Sequence, residues 1–422
     1  MKRLCLFVFA SCVAFHPAWA AISTNGWQPW SPREEIAPRF SIEAKGGHAR
    51  TPALRLETRD RSEFGAWKAR VNNIQGGSLY RFTAWYRAER VADERRSVIS
   101  RLQWLNSAGK EVRSPDFVLD VGRDGKWKRI ELVTPVPTNA SAVEIQLGLG
   151  FSDRGKVWFS DIDLAPETSP RDRVIHAVTI AHRPRGTKSA AESLEQFCSL
   201  AKQSASQKPD VICLPEGVTV VGTGKTYADV AENIPGPSTE RLGTLAKELH
   251  SYVVAGIYER SGKIVYNTSV LIGRNGELVG KYRKTHLPRE EWEAGITPGE
   301  AYPVFDTDFG KVGMMICWDV QFPEPARAMA AQGAEVILLP IWGGSDVLAQ
   351  ARAIENHVFL ISSSYDMRTF IVDPAGKILA EATKDAPTAS ADLFLDRRIF
   401  QPWLGDMKNR TWKERRVDLP VK

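Results

Sequence analysis

The rhythm of the chain changes once, near residue 165, and that change constrains the fold more than any single motif. From Gly26 to about Ala165 apolar and polar residues alternate in short runs, among them ALRLET, GAWKARVN, SLYRFTAWYRAE, SVISRLQWLN, WKRIELVTPV, AVEIQLGLG and KVWFSDIDL, separated by Gly, Asn, Asp and Ser. In SLYRFTAWYRAE, Tyr80, Phe82, Ala84 and Tyr86 share one face and Arg81, Thr83, Trp85 and Arg87 the other. A period of two with one apolar face marks a half-buried strand. Strands at this spacing, with no helical pattern between them, predict an antiparallel β-sandwich.

PETSPRDR, residues 166–173, is polar and carries two prolines, which marks a linker. Beyond it, apolar strands (RVIHAVTIAH, DVICLPE, SYVVAGIYE, YNTSVLIG, LVGKYRK, KVGMMICWD, AEVILLPIW, VFLISSS) are interspersed with helical patterns over 189–204, STERLGTLAKELH, PEPARAMAAQG and SDVLAQARAIENH. This is the signature of a layered α/β domain. Several of the strands are near-continuous apolar runs, so the sheet is expected to be covered on both faces.

Composition excludes some classes. With 422 residues, 43% hydrophobic and 25% charged, the chain is neither disordered nor fibrous. A formal charge of +6, carried by no dense Lys/Arg run, gives no nucleic-acid footprint. The opening MKRLCLFVFASCVAFHPAWA has two early basic residues, an apolar stretch and Ala18-Trp19-Ala20 at its end, the pattern of a signal peptide over 1–20 and so of a periplasmic or secreted protein. Its apolar stretch is too short to span a bilayer, and no other segment approaches the roughly 20 apolar residues that spanning requires. A rival reading places a lipoprotein cleavage before Cys12.

Cleavage at 20 leaves Cys198, Cys213 and Cys317, an odd number, so at least one thiol is free or intermolecular. Cys198 lies on the apolar stripe of a helix and Cys213 inside an apolar strand, as small core hydrophobes do; a bridge between them stays open. Cys317 alone sits at an element boundary, between the strand ending at Ile316 and a helix with Pro323 and Pro325 in its first turn. Such a turn pushes a side chain over the sheet edge and aims backbone N–H groups at the same spot.

Glu216, beyond Pro215, and Lys284, before Pro288, also follow strands. Singly, each of the three has a bland explanation: a core thiol or a solvated loop charge. Ligand clefts of open α/β sheets form beyond the carboxyl ends of strands, where all three lie. A thiol needs a proton acceptor, and a tetrahedral adduct needs a cation or donors beside its oxygen. A carboxylate, a lysine and a cysteine supply those parts without histidine, metal or cofactor.

CLPEG, YRKTHLP and MICWDVQFPE, in that order, resemble the three signature blocks of the nitrilase (carbon–nitrogen hydrolase) superfamily. YNTSVLIGRNGELVGKYRK, PGEAYPVFDTDFGKVG, GAEVILLPIWGG and RAIENHVFLISSS extend the resemblance over roughly residues 173–396. It implies a nitrilase-type α-β-β-α sandwich over 173–410, preceded by the all-β, jelly-roll-like sandwich of 21–165 and the linker 166–172, and followed by a tail over 411–422. It also implies roles: Glu216 as general base, Lys284 as oxyanion stabiliser and Cys317 as nucleophile, with the N–H of Trp318 sharing the oxyanion. The superfamily's second glutamate matches Glu293 in REEWEAGITPG, with Glu291 the alternative. Trp318 and Trp342 flank the expected mouth of the substrate site, and a simple packing role for both stays open.

The resemblance further implies a small amide, carbamoyl or nitrile substrate and a homo-oligomer. The β half is similar in pattern to galactose-binding-like modules; its tryptophans leave glycan binding and a plain structural role both open. GTGKT at 222–226 fails as a phosphate-binding loop, since Thr219 stands where its first glycine belongs. No HExxH, CxxC or GxSxG occurs.

Overall fold

The computed structural model describes residues 26–168, 172–401, 403–416 and 419; the leader expected at 1–20 lies outside the described residues. The described residues divide into two compact units, 26–168 and essentially 172–412. Residues 403–405 and 413–416 group with the first unit, where buried Lys413 donates to the carbonyl of Val98 at 3.3 Å.

In the first unit two antiparallel sheets face each other across one core. One runs Gln28–Trp30, Phe64–Asn72, Ala142–Gly150, Val98–Leu105, Asp116–Phe117, and the other Arg39–Glu43, Ala53–Glu57, Lys156–Glu167, Leu79–Glu89, Trp127–Pro135, Leu119–Asp124. The expected faces are the observed ones: Tyr80, Phe82, Ala84 and Tyr86 are buried, joined by Leu54, Leu102, Trp104 and Ile145. Of the tryptophans, Trp27, Trp67, Trp104 and Trp158 are buried, while Trp30, Trp85 and Trp127 stay half-exposed.

The second unit stacks two six-stranded sheets between helices. The first runs Leu278–Arg283, Ile264–Ile272, Tyr252–Ser261, Val211–Cys213, Val174–Ile180, Thr388–Phe394, with the three strands around Val211–Cys213 parallel. The second runs Val304–Asp306, Lys311–Met314, Val336–Pro340, Phe359–Ser363, Thr369–Val372, Ile378–Ala382, parallel through its middle. Helices Ala190–Gln203 and Pro237–Leu249 cover the outer face of the first sheet through Leu194, Phe197, Cys198 and Leu242. Helices Glu324–Ala331 and Asp346–Asn356 cover the second through Ala326, Met329, Ala349 and Ala353. Because each sheet is covered twice, a central strand such as Val336–Pro340 is buried at every residue. The order helix, sheet, sheet, helix is the expected four-layer sandwich.

The helix ends follow local chemistry. Ser189 caps Ala190–Gln203 by accepting from the N–H of Glu192, and Pro237 opens Pro237–Leu249 where its missing N–H matters least. Cys198 and Cys213 are both free thiols in the core, so the bridge left open between them does not form. Burial raises both thiols above the ordinary range, Cys198 to about 11.

Candidate active site

Four chain segments deliver the site. The strand Val211–Cys213 runs out at Leu214-Pro215, and Glu216 follows it. Its backbone lies against the neighbouring strand at Gly256, where a Cβ would stand 2.7 Å from the Glu216 Cα, so a side chain there forces the carboxylate out of place. Lys284 follows Leu278–Arg283 and keeps sheet pairing by donating its N–H to Asn267 O at 2.9 Å. Trp342 follows Val336–Pro340 and donates its N–H to Glu216 Oε2 at 2.8 Å.

Cys317 stands in a tight turn, Cys317–Gln321, that begins three residues after the end of the strand Lys311–Met314. Its φ of +43° is strained for a residue with a side chain. The turn is held by Asp319, which is fully buried and accepts from the N–H of Ile316 at 3.0 Å and from Tyr282 Oη at 2.7 Å. The other Asp319 oxygen accepts from Thr285 Oγ1 and the N–H of His286, both at 3.1 Å. One carboxylate therefore ties the cysteine turn to the segments on both sides of Lys284.

At the centre, Lys284 Nζ lies 3.0 Å from Glu216 Oε1 and 2.9 Å from Glu291 Oε2. The Asn267 side-chain amide donates to both carboxylates, to Glu216 Oε1 at 2.6 Å and to Glu291 Oε1 at 2.5 Å. All four side chains are buried. Burial pulls the Lys284 ammonium towards losing its proton, but Glu216, Cys317 and Glu291 together hold its affinity well above the usual lysine range. Glu291 is raised, by burial first and by the charge of Glu216 next, with Lys284 opposing. The Cys317 thiol is pushed up to about 12, by burial first and then by Glu216. At neutral pH the resting site thus holds a neutral thiol beside a firmly charged lysine, and the sulfur attacks only as the thiolate.

Glu216 and Lys284 lie 3.0 Å apart, and Cys317 lies near enough that the thiol and the ammonium each feel the charge of the other two groups. Glu293 does not join them, which corrects the preferred match. Its side chain is 61% exposed and pairs with Arg289 at 2.6 Å, whereas that of Glu291 is 3% exposed against Lys284. Both lie in the short helix Arg289–Glu293, where residues two apart point to nearly opposite sides, so docking of the helix selects one. Trp318 is 40% exposed. Trp342 is half-buried, with its ring edge-on to Tyr365 at 4.9 Å, so its clearest contribution is the backbone donor that fixes Glu216.

Sequence reasoning missed Asn267, Asp319 and Tyr365, whose hydroxyl donates to Glu216 O at 2.9 Å. Asn267 carried a signal: it interrupts the inward series Val265, Ser269, Leu271 with an amide, and a buried amide needs partners. Among the described residues no cluster of His, Cys, Asp and Glu is arranged to hold a metal ion.

Comparison with known proteins places this site in a recognised context. Residues 178–399 match the family described as carbon–nitrogen hydrolase. The omega-amidase NIT2 of Xenopus tropicalis is 32% identical over 236 residues, covering 49% of this chain and 84% of that protein. A probable nitrilase of Schizosaccharomyces pombe is 32% identical over 209 residues, covering 44% and 76%. Among solved structures, an amidase of the nitrilase superfamily from Nesterenkonia AN1 aligns at 25% identity and a TM-score of 0.47, over 55% of this chain and 97% of its own.

Proposed function

The chain belongs to the carbon–nitrogen hydrolase family, and from that premise we propose that it cleaves a small non-peptide amide or carbamoyl amide through a thioester on Cys317. The observation that carries this reading is the buried set itself: an ammonium between two carboxylates, beside a thiol held on a strained turn. The similarity to an omega-amidase supports an amide as substrate.

In this mechanism Glu216 takes the thiol proton as Sγ attacks the amide carbon, and the electron pair of the C=O bond moves to oxygen. The oxyanion is held by Lys284 Nζ and the backbone N–H of Trp318. When the adduct collapses, the C–N bond breaks and Glu216 returns its proton to the leaving ammonia or amine. Glu216 next takes a proton from water, whose oxygen attacks the thioester, and the acid leaves as the thiol is restored. Glu291, through Lys284 and Asn267, keeps the ammonium charged and aimed.

The test is ammonia release from a panel of primary amides, carbamoyl amines and nitriles, against Cys317→Ala as control. Turnover of amides with a trapped acyl adduct on Cys317 is expected; turnover confined to nitriles overturns the amide assignment. No release from any of them, with an inert Cys317, overturns the enzyme mechanism.

Further parts of the reading follow the same family logic. The leader at 1–20 would direct export; among the described residues no helix is long and apolar enough to cross a membrane. Self-association is supported by Val347 and Ile354, exposed two turns apart on one face of Asp346–Asn356. A glycan site on the β unit is supported by its outer sheet face, where His48 stacks on Trp85 at 4.2 Å and Arg87 lies over the Trp127 and Trp158 rings.

A further inference from the structure

The first unit contains a second concentration of charge that the hydrolase mechanism does not use. At one end of its six-stranded sheet is an open cavity of about 240 Å³ lined by Arg39, Glu57, Thr58, Arg59, Arg90 and Arg154. The arginines come from four places: the start of Arg39–Glu43, the end of Ala53–Glu57, the end of Leu79–Glu89 and the loop before Lys156–Glu167. Sheet pairing brings these ends together, since Glu57 is registered with both Arg39 and Lys156, and Lys156 with Glu89.

Two of these charges are already met. Arg59 pairs with Glu63, and Glu57, the one carboxylate in the lining, is matched by Arg55 at 2.6 Å and Lys156 at 3.3 Å. Thr58 forms a fixed floor, its hydroxyl donating to Ser152 O at 2.7 Å and accepting from the N–H of Gly155 at 3.0 Å. Arg39, Arg90 and Arg154 differ: among the described residues no ion pair or side-chain hydrogen bond engages any of the three guanidinium groups. Arg55, Arg81 and Arg129 of this unit are paired with carboxylates; what distinguishes Arg39, Arg90 and Arg154 is that all three face one cavity.

The backbone gives a second, independent indication. Arg90 and Arg154 have φ of +55° and +53°, the left-handed region where glycine or asparagine relieves the clash of a Cβ. Ala49, Arg50 and Phe151 of the same unit share this conformation, so what sets Arg90 and Arg154 apart is that both also line the cavity. Strained residues persist where the surrounding structure fixes them, and they cluster at ligand sites.

We propose that this cavity binds the oxyanion of a small acidic ligand, a carboxylate, phosphate or sulfate group, through Arg39, Arg90 and Arg154. A guanidinium presents paired N–H donors that match two oxygens of such a group, and three of them exceed the charge of a dianion. The volume lies below that of a typical drug-sized pocket, so the anionic end of the ligand fills it and the rest stays outside.

Isothermal titration of the full chain at low ionic strength tests this, with inorganic phosphate, glucuronate and neutral galactose as probes. Saturable binding of phosphate or glucuronate is expected, and whichever binds tighter identifies the acid; galactose is not expected to fill this site. In an Arg90→Gly/Arg154→Gly variant the dissociation constant should rise at least tenfold while the melting temperature holds or increases, because glycine takes these φ values freely. Arg39→Gln, at ordinary strand geometry, should weaken binding several-fold and serves if the double variant folds poorly. Equal affinity in these variants and the unaltered chain, or no binding of either acid at millimolar concentration, overturns the proposal.

Discussion

The two charge clusters of this chain differ in how much water they keep. Around Lys284 every partner is buried and within 3.0 Å, whereas Arg39, Arg90 and Arg154 are exposed around an open cavity. Two unit charges about 4 Å apart interact by roughly 1 kcal/mol in water and roughly 4 kcal/mol at the effective dielectric of a protein site. The dry cluster therefore sets protonation states and builds a reactive centre. The wet cluster, screened by the water around it, can only recruit an anion. Burial makes charge into chemistry; exposure leaves it as attraction.

The largest effect that tests this contrast is on turnover. Cys317→Ala should lower amide hydrolysis by at least about 10⁴-fold, since removing a nucleophile removes the covalent path, and circular dichroism should show an intact fold. A variant that keeps a tenth of its activity would place the chemistry on another group.

Next is stability. Lys284→Met leaves Glu216 and Glu291 facing each other without a cation, and breaking a buried pair costs about 3–5 kcal/mol. Glu291, which burial and the charge of Glu216 already push up, then loses the cation that opposed that rise and holds its proton still more tightly folded than unfolded. Its contribution is thus present below about pH 4.3 and lost as pH rises. The variant should melt closer to the unaltered chain at pH 5 than at pH 8. Arg289→Ala, which breaks the exposed pair with Glu293, should cost about 0.5 kcal/mol or less at either pH. Equal losses from the two substitutions would erase the distinction between dry and wet charge.

The third test separates two glutamates that the sequence sets two residues apart. Glu291→Gln should lower kcat by about 10²-fold with a modest change in KM, because it removes a charge that keeps Lys284 protonated and aimed. Glu293→Gln should leave both constants within about twofold, as surface changes do. A reversed order would restore Glu293 to the site.

That pair also marks how far the sequence could be read. The layers of the second unit were legible because doubly covered strands are apolar throughout, as VILLP is. The three principal groups were legible because Pro215, Pro288 and the prolines after Cys317 punctuate the strand ends. In the first unit the alternation in SLYRFTAWYRAE gave the buried face residue by residue. What stayed hidden depends on long-range assembly. REEWE is one helical turn, and only its docking decides that Glu291 turns inward. Asp319 holds Cys317 through partners at 282, 285 and 286, and the four cavity arginines come together only when four strand ends do. The positive φ at Cys317, Arg90 and Arg154 has no compositional mark, because none of them is glycine.

The smallest effect expected is also the most specific to the dry cluster. With its thiol pushed up to about 12, resting Cys317 should react with iodoacetamide at a rate that rises about tenfold per pH unit from 7 to 10 without levelling, because only the thiolate attacks. After burial, Glu216 contributes most to that rise, and Lys284 opposes it. Glu216→Gln removes the carboxylate and keeps the ammonium, so the thiol becomes more acidic. Alkylation at pH 8 should then become several-fold faster even as amide turnover is lost. A general base acting only by proton transfer, with no field on the resting thiol, would slow both reactions together. Mass spectrometry of the Cys317 peptide, timed at several pH values in both proteins, distinguishes the two: a slower or unchanged alkylation rate in Glu216→Gln would show that Glu216 does not control the charge state of the nucleophile.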